Sequence, residues 1–214
     1  MTGSKKKYTV LGAYCLCFYA VWAVFELFVK ESIGSQMIKT GLIKNLAWVL
    51  PAALLIHKYP GSVQIKLKEM FTTRVRWRKY LWLFGICAVF VLAGSVMQTG
   101  GVAVSEEFGM DSIIIVLFVG ITEETVFRGW LLNATVNSAK PWPAIIINAV
   151  MFLIIHFPIW IADGIFAEAF TSLGFVTLMA LSVMFSLTFL KSRNIFVPVT
   201  LHMFYDLLVF MLLG

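Results

Sequence analysis

Charge is scarce in this sequence. Only 13% of its 214 residues are Asp, Glu, Lys or Arg, against 60% apolar residues and a mean hydropathy of +0.90. A soluble domain carries about a quarter charged residues, so this chain cannot be wrapped around a single aqueous core. Cysteine is equally sparse: Cys15, Cys17 and Cys87 all fall in apolar stretches. They form neither a disulfide framework nor a Cys metal site and read as small buried apolar side chains. Internal repeats and low-complexity tracts are absent, which weighs against an inverted-repeat transporter. The alternation of a membrane barrel is absent too. So are His-Glu-x-x-His, Gly-x-Ser-x-Gly and any pair of span-embedded aspartates, which disfavours zinc, serine and aspartyl intramembrane proteases. Ser182 and Ser186 read as helix-packing residues. The net charge of +6 is no nucleic-acid signal, because the basic residues lie between apolar runs and not on one face of a soluble domain.

What is present is length of apolar sequence. About seven runs are candidates to span a bilayer: Val10 to Val29, Leu42 to Ile56, Tyr80 to Val96, Ile113 to Leu132, Ala144 to Ile161, Leu173 to Leu190 and Val197 to Leu213. A backbone in hydrocarbon must satisfy its own hydrogen bonds, so all are expected to be helices. The fold class is therefore all-α, a polytopic transmembrane bundle. The second run is short and contains Pro51, so a kinked or re-entrant span is expected there. Lys5 to Lys7 precede the first run with no small-residue cleavage site after it, which reads as an uncleaved first span.

Basic residues sort the loops. Lys5 to Lys7, the cluster from Lys58 to Lys79, Lys140, Lys191 and Arg193 fall on one side; Lys30, Lys39 and Lys44 fall on the other. The positive-inside rule then gives a cytoplasmic N-terminus and an outer C-terminus. Val63 to Tyr80 mixes apolar and basic residues. It is either an amphipathic helix on the anionic inner leaflet, with Trp77, Tyr80 and Trp82 at headgroup level, or an ordinary basic loop.

Against this background the polar residues of the last four runs stand out: Glu123, Glu124, Arg128, His156, His202 and Asp206. Each ionisable group near the bilayer centre costs about 2.5–3.5 kcal/mol on insertion scales, so each is a functional candidate. Glu26 and His57 lie near span ends, where snorkelling explains them. Glu124 and Arg128 are four apart, acid first, the favourable arrangement for an ion pair. Glu123 is turned about 100° away and is the carboxylate left free for chemistry. Phe152 shares a face with His156, and His202 shares one with Asp206. A carboxylate beside imidazoles in a low-dielectric site is suited to activating water. Glu123, His156 and His202 would equally serve as ligands of a divalent metal such as zinc, with one position open.

These residues resemble a known set. Glu123-Glu124-Thr125-Val126-Phe127-Arg128 is similar to the Glu-Glu-x-x-x-Arg motif of the CAAX protease and bacteriocin-processing (CPBP or Abi) family of intramembrane proteases. Phe152 to His156 matches its Phe-x-x-x-His motif, and His202 to Asp206 its His-x-x-x-Asn/Asp motif. The resemblance covers about Asp111 to Gly214. It divides the chain into N-terminal transmembrane helices with a basic cytoplasmic loop (1–110) and a catalytic core (111–214).

The resemblance implies that Glu123 is the general base, that His156 assists it, and that His202 with Asp206 stabilises the oxyanion or completes a metal site. Glu124 and Arg128 would hold the architecture. Asp206 stands where the family more often has Asn; a carboxylate is a poorer oxyanion donor unless protonated, and a better metal ligand. The implied activity is hydrolysis of a peptide bond in a small membrane-associated peptide or lipid-anchored precursor, in a bacterial plasma membrane. Bacteriocin maturation, self-immunity and peptide-signal processing are the implied roles. A non-catalytic immunity or scaffold protein and a proton-coupled transporter are the competing classes. Membrane lipid and a peptide are the expected partners, with no nucleic acid.

Overall fold

A computed structural model describes residues 3–136, 139–172 and 174–214. Leu173, the first residue of the sixth apolar run, lies outside the described residues. Helix α1 (Gly3–Val24) continues through the wider π turns of Phe25–Val29. A second π-wound stretch, Met37–Val49, leads into α2 (Leu50–Lys58). Then come α3 (Leu67–Thr72), α4 (Leu81–Thr99) and α5 (Met110–Glu124). The last of these runs into a third π stretch, Thr125–Leu132, and the single turn α6 (Asn133–Thr135). The chain closes with α7 (Trp142–Ile154), α8 (Phe157–Ala162), α9 (Phe166–Thr171), α10 (Gly174–Ser192) and α11 (Phe196–Leu212).

By length and composition, Tyr8–Ser32, Met37–Lys58, Leu81–Thr99, Trp142–Ala162 and Gly174–Ser192 can each cross a membrane. The protein is a multi-pass helical membrane bundle. The Glu-Glu helix α5 and the His-Asp helix α11 fall outside that set: α11 is shorter, and the α5 run carries Glu123, Glu124 and Arg128.

The second run is a continuous helix, Met37–Lys58, long and apolar enough to cross a membrane. Pro51 lacks an N–H and cannot take part in an α-helical ladder. It sits at the start of α2, directly after π turns in which Leu50 N–H already reaches back to the Asn45 carbonyl.

Val63 to Tyr80 is not one amphipathic helix. It contains the six residues of α3 and one 3-10 turn, Trp77–Lys79, with extended backbone at Lys66 and Thr73. Tertiary bonding overrides the periodicity here. The Asn133 side chain accepts from the backbone N–H of Gln64 and Ile65 and donates to the Ile65 carbonyl. Ile65 and Met70 are thereby drawn into the core.

One core serves both halves of the chain. Phe18, Trp22 and Trp48 from the N-terminal helices pack with Phe127, Trp130 and Phe152. The motif-bearing helices are neighbours: α11 packs on α5, α10 on α7, and the Thr125–Leu132 stretch contacts α7 and α10. At Gly120 α5 meets α11 closely: a Cβ there would stand 2.9 Å from Met203 Cγ and 3.5 Å from the Val199 carbonyl oxygen, so a larger residue would have to push the Met203 side chain aside, one turn before the adjacent glutamates.

Candidate active site

Four helical pieces deliver the polar residues. The glutamates close α5, Arg128 lies in the π turns that follow, and His202 and Asp206 stand one turn apart on α11. His156 lies in the break between α7 and α8. Pro158 causes that break, because it lacks an N–H and its ring excludes the Ile154 carbonyl. The consequence is local: His156 N–H turns to the Leu153 carbonyl, and the His156 ring Nδ1 takes over the Phe152 carbonyl at 2.8 Å. A carbonyl only accepts, so Nδ1 carries the proton and the neutral ring presents Nε2 as its lone pair.

Glu124 is the organiser of the site. Its Oε1 accepts from Arg128 Nη1 at 2.9 Å and from His202 Nδ1 at 2.8 Å. Arg128 also donates from Nη2 to the Ser182 hydroxyl at 2.8 Å and to the Ser182 carbonyl at 3.1 Å, tying in α10. Arg128 and Glu124 are both fully buried. The expected pair is therefore present, and it does more than neutralise charge: it fixes the ring orientation of His202. Phe152 fills the space between these groups. The Arg128 guanidinium lies 4.6 Å from its ring centroid, with His156 at 5.2 Å and His202 at 6.0 Å, while Phe185 stacks on His202 at 4.9 Å.

Glu123 is buried beside this array, yet it accepts no hydrogen bond from any described residue; His202 Nε2 stands 3.9 Å from its Oε2. It lies within electrostatic reach of His156, His202, Asp206 and Lys44. His202 Nε2 is also 3.3 Å from Asp206 Oδ2. Glu123, His202 and Asp206 thus face one another, with His156 close by. Among the described residues no three His, Cys, Asp or Glu side chains form a group able to hold a metal ion. Glu123, His156 and His202 are not gathered as ligands, because His202 directs one nitrogen to Glu124 and turns the other toward Asp206.

Residues 105–208 match a family model described as type II CAAX prenyl endopeptidase Rce1-like. This stretch is similar to the Rce1-like family. The Rce1-like region holds all three motifs and gives this bundle the character of a CAAX-type intramembrane protease. No curated protein and no solved structure matches the chain.

Part of the environment of the Rce1-like region comes from outside it. Lys44, grouped with the loop lysines by its sequence position, is buried within the Met37–Val49 stretch, with Nζ 2.7 Å from Glu26 Oε1 and 4.5 Å from the Trp22 ring centroid. Lys30 approaches the other Glu26 oxygen at 3.7 Å. Two opposite charges in adjacent apolar runs were the available signal for this pair. Next to Lys44, the Asn45 side-chain oxygen accepts from Thr122 at 3.4 Å, joining this stretch to the turn that carries Glu123. Asn148, another polar residue in an apolar run, donates to the Phe127 carbonyl at 3.0 Å and accepts from Ser186 at 3.4 Å.

Removing Lys44 leaves the buried Glu26 with only the longer, partly exposed contact to Lys30. Lys44→Met is expected to destabilise the protein by about 3–5 kcal/mol, and Glu26→Leu combined with Lys44→Met to recover most of that loss. Thermal unfolding of the two variants in detergent is the check; a double variant no more stable than Lys44→Met would show that the loss is one of packing.

Proposed function

We propose that the protein is an intramembrane endopeptidase in which Glu123 activates water. The observation that carries this reading is the inequality of two adjacent carboxylates. Glu124 is engaged by Arg128 and His202, whereas Glu123 has no hydrogen-bond donor among the described residues and faces His202 and Asp206. In the reaction Glu123 takes a proton from water, the hydroxide adds to the scissile carbonyl, and the C–N bond breaks as Glu123 returns the proton to the leaving amine.

His156 assists through its free Nε2, which holds the same water. His202 donates from Nδ1 to Glu124, and in its doubly protonated form the ring also carries an Nε2–H that can be offered to the oxyanion, with Asp206 orienting that end of the ring. Preorganised donors of this kind act strongly in a water-excluded site. Glu124 and Arg128 hold the array in place.

The substrate class is a short membrane-associated peptide, leader or lipid-anchored tail, in a bacterial plasma membrane with the N-terminus of this chain cytoplasmic. Peptide maturation, self-immunity or peptide signalling is the proposed role. The test is a mass-spectrometric comparison of membrane-associated peptides from cells carrying the wild-type chain and Glu123→Gln, His156→Ala or His202→Ala at equal expression. A precursor should accumulate, and its fragments should disappear, in the variants. Retained cleavage by all three variants would overturn the assignment.

A further inference from the structure

We propose that α4 and α10 bind an anionic phospholipid in the groove between them. Both helices pack on α11 and stand apart from each other, so α11 forms the floor of a channel with two helical walls. A cavity of about 620 Å³ lies at one end, with Lys79 and Trp82 on one wall and Thr188 and Lys191 on the other. A second cavity of about 300 Å³ continues it along Ile86 and Phe90 to Tyr205. The two share Ala180 and Met184, so they are parts of one groove.

Its dimensions and chemistry fit one leaflet's lipid. From Leu81 to Phe90 the α4 wall rises about 14 Å at about 1.5 Å per residue, with Lys79 in the turn just before it. That is about half of the ~30 Å hydrocarbon thickness of a bilayer. The lining changes along that length from basic and aromatic to apolar, as a headgroup-to-tail axis does. Lys79 and Lys191 are exposed, and no carboxylate pairs with either among the described residues. Trp82 donates its indole N–H to the Lys79 carbonyl at 2.9 Å, which places an interfacial aromatic at the mouth. Two unpaired cations select a negative headgroup, and the apolar run behind them holds an acyl chain.

The experiment uses the full chain purified in detergent, with lipid binding read by native mass spectrometry against dioleoylphosphatidylglycerol and dioleoylphosphatidylcholine. The anionic lipid should bind more tightly. Lys79→Gln with Lys191→Gln should weaken its binding by about fivefold per lysine, toward that of the zwitterionic lipid. Ala180→Trp should weaken both lipids by filling the groove. These positions carry no part of the proposed chemistry, so thermal unfolding should be unchanged in the charge variant. Equal binding of the two lipids by the wild type overturns the proposal, as does anionic binding indifferent to either set of substitutions. Displacement of the lipid by an uncharged prenylated peptide, with no dependence on the lysines, would assign the groove to substrate and equally overturn it.

Discussion

Glu123→Gln is expected to lower the rate of peptide cleavage by about 10²–10⁴-fold while leaving the fold as stable as the wild type. The amide is isosteric with the carboxylate but cannot take the proton of the attacking water. Stability should hold because Glu123 accepts no hydrogen bond from the described residues and contributes no ion pair closer than 3.9 Å. The measurement has two arms: single-turnover cleavage of an identified precursor in liposomes, and thermal unfolding in detergent. Wild-type cleavage by a properly folded Glu123→Gln protein would remove the general base from the mechanism. Unfolding of the variant would instead mean that Glu123 has a structural role that its surroundings do not reveal.

The adjacent carboxylate is expected to fail in the opposite way. Arg128→Met leaves Glu124 buried without its cation and withdraws the donors on Ser182, a loss of about 3–5 kcal/mol. Arg128→Lys should recover only part of it, since an ammonium on a flexible stem does not reproduce the planar fork that reaches Glu124 and Ser182 together. Because Glu124 also fixes His202 Nδ1, surviving folded protein should lose activity as the ring loses its orientation. Thermal melts of the two variants alongside wild type are the check, with an unaltered midpoint for Arg128→Met the outcome that would remove the pair's structural role. Opposite outcomes at neighbouring positions, activity without stability at Glu123 and stability first at Glu124, are what separates a reacting group from an organising one.

A similar logic explains the exposed ion pair of Arg193 and Glu69, which clamps the α10–α11 turn to α3. The Arg193 guanidinium beside Glu69 holds its carboxyl below the usual carboxylate range, chiefly through their hydrogen bond. The folded-state pKa is depressed, so the contribution is present above the unfolded value and fades on acidification through the folded one. For a solvated pair it is worth about 0–1 kcal/mol, small beside the buried pairs of the bundle.

Much of the site was legible in the sequence because insertion into hydrocarbon makes every ionisable residue costly. Glu123, Glu124, Arg128, His156, His202 and Asp206 were conspicuous on that ground, and the helical period already separated the two glutamates into a paired and an unpaired one. The helical bundle followed from composition and from the need to satisfy backbone polar groups. The sequence left undecided whether Val63 to Tyr80 formed a surface helix, because its alternation of apolar and basic residues is periodic enough for one. Tertiary bonds break it up, from Asn133 to Gln64 and Ile65 and from Asn194 to the Thr73 carbonyl.

Lys44 was hidden for a related reason: near the start of an apolar run, a buried lysine and a loop lysine look alike until a partner such as Glu26 is brought within reach by packing. The same holds for Glu124, whose bond to His202 joins residues seventy-eight positions apart. The sequence by itself determined the class of protein, the cast of polar residues and the local pairing of Glu124 with Arg128, all of which rest on composition and helical spacing. The tertiary structure alone decided which nitrogen of His202 is held, because its bond to Glu124 depends on the packing of α11 against α5, whereas the contact of His156 with the Phe152 carbonyl is local to the break before Pro158.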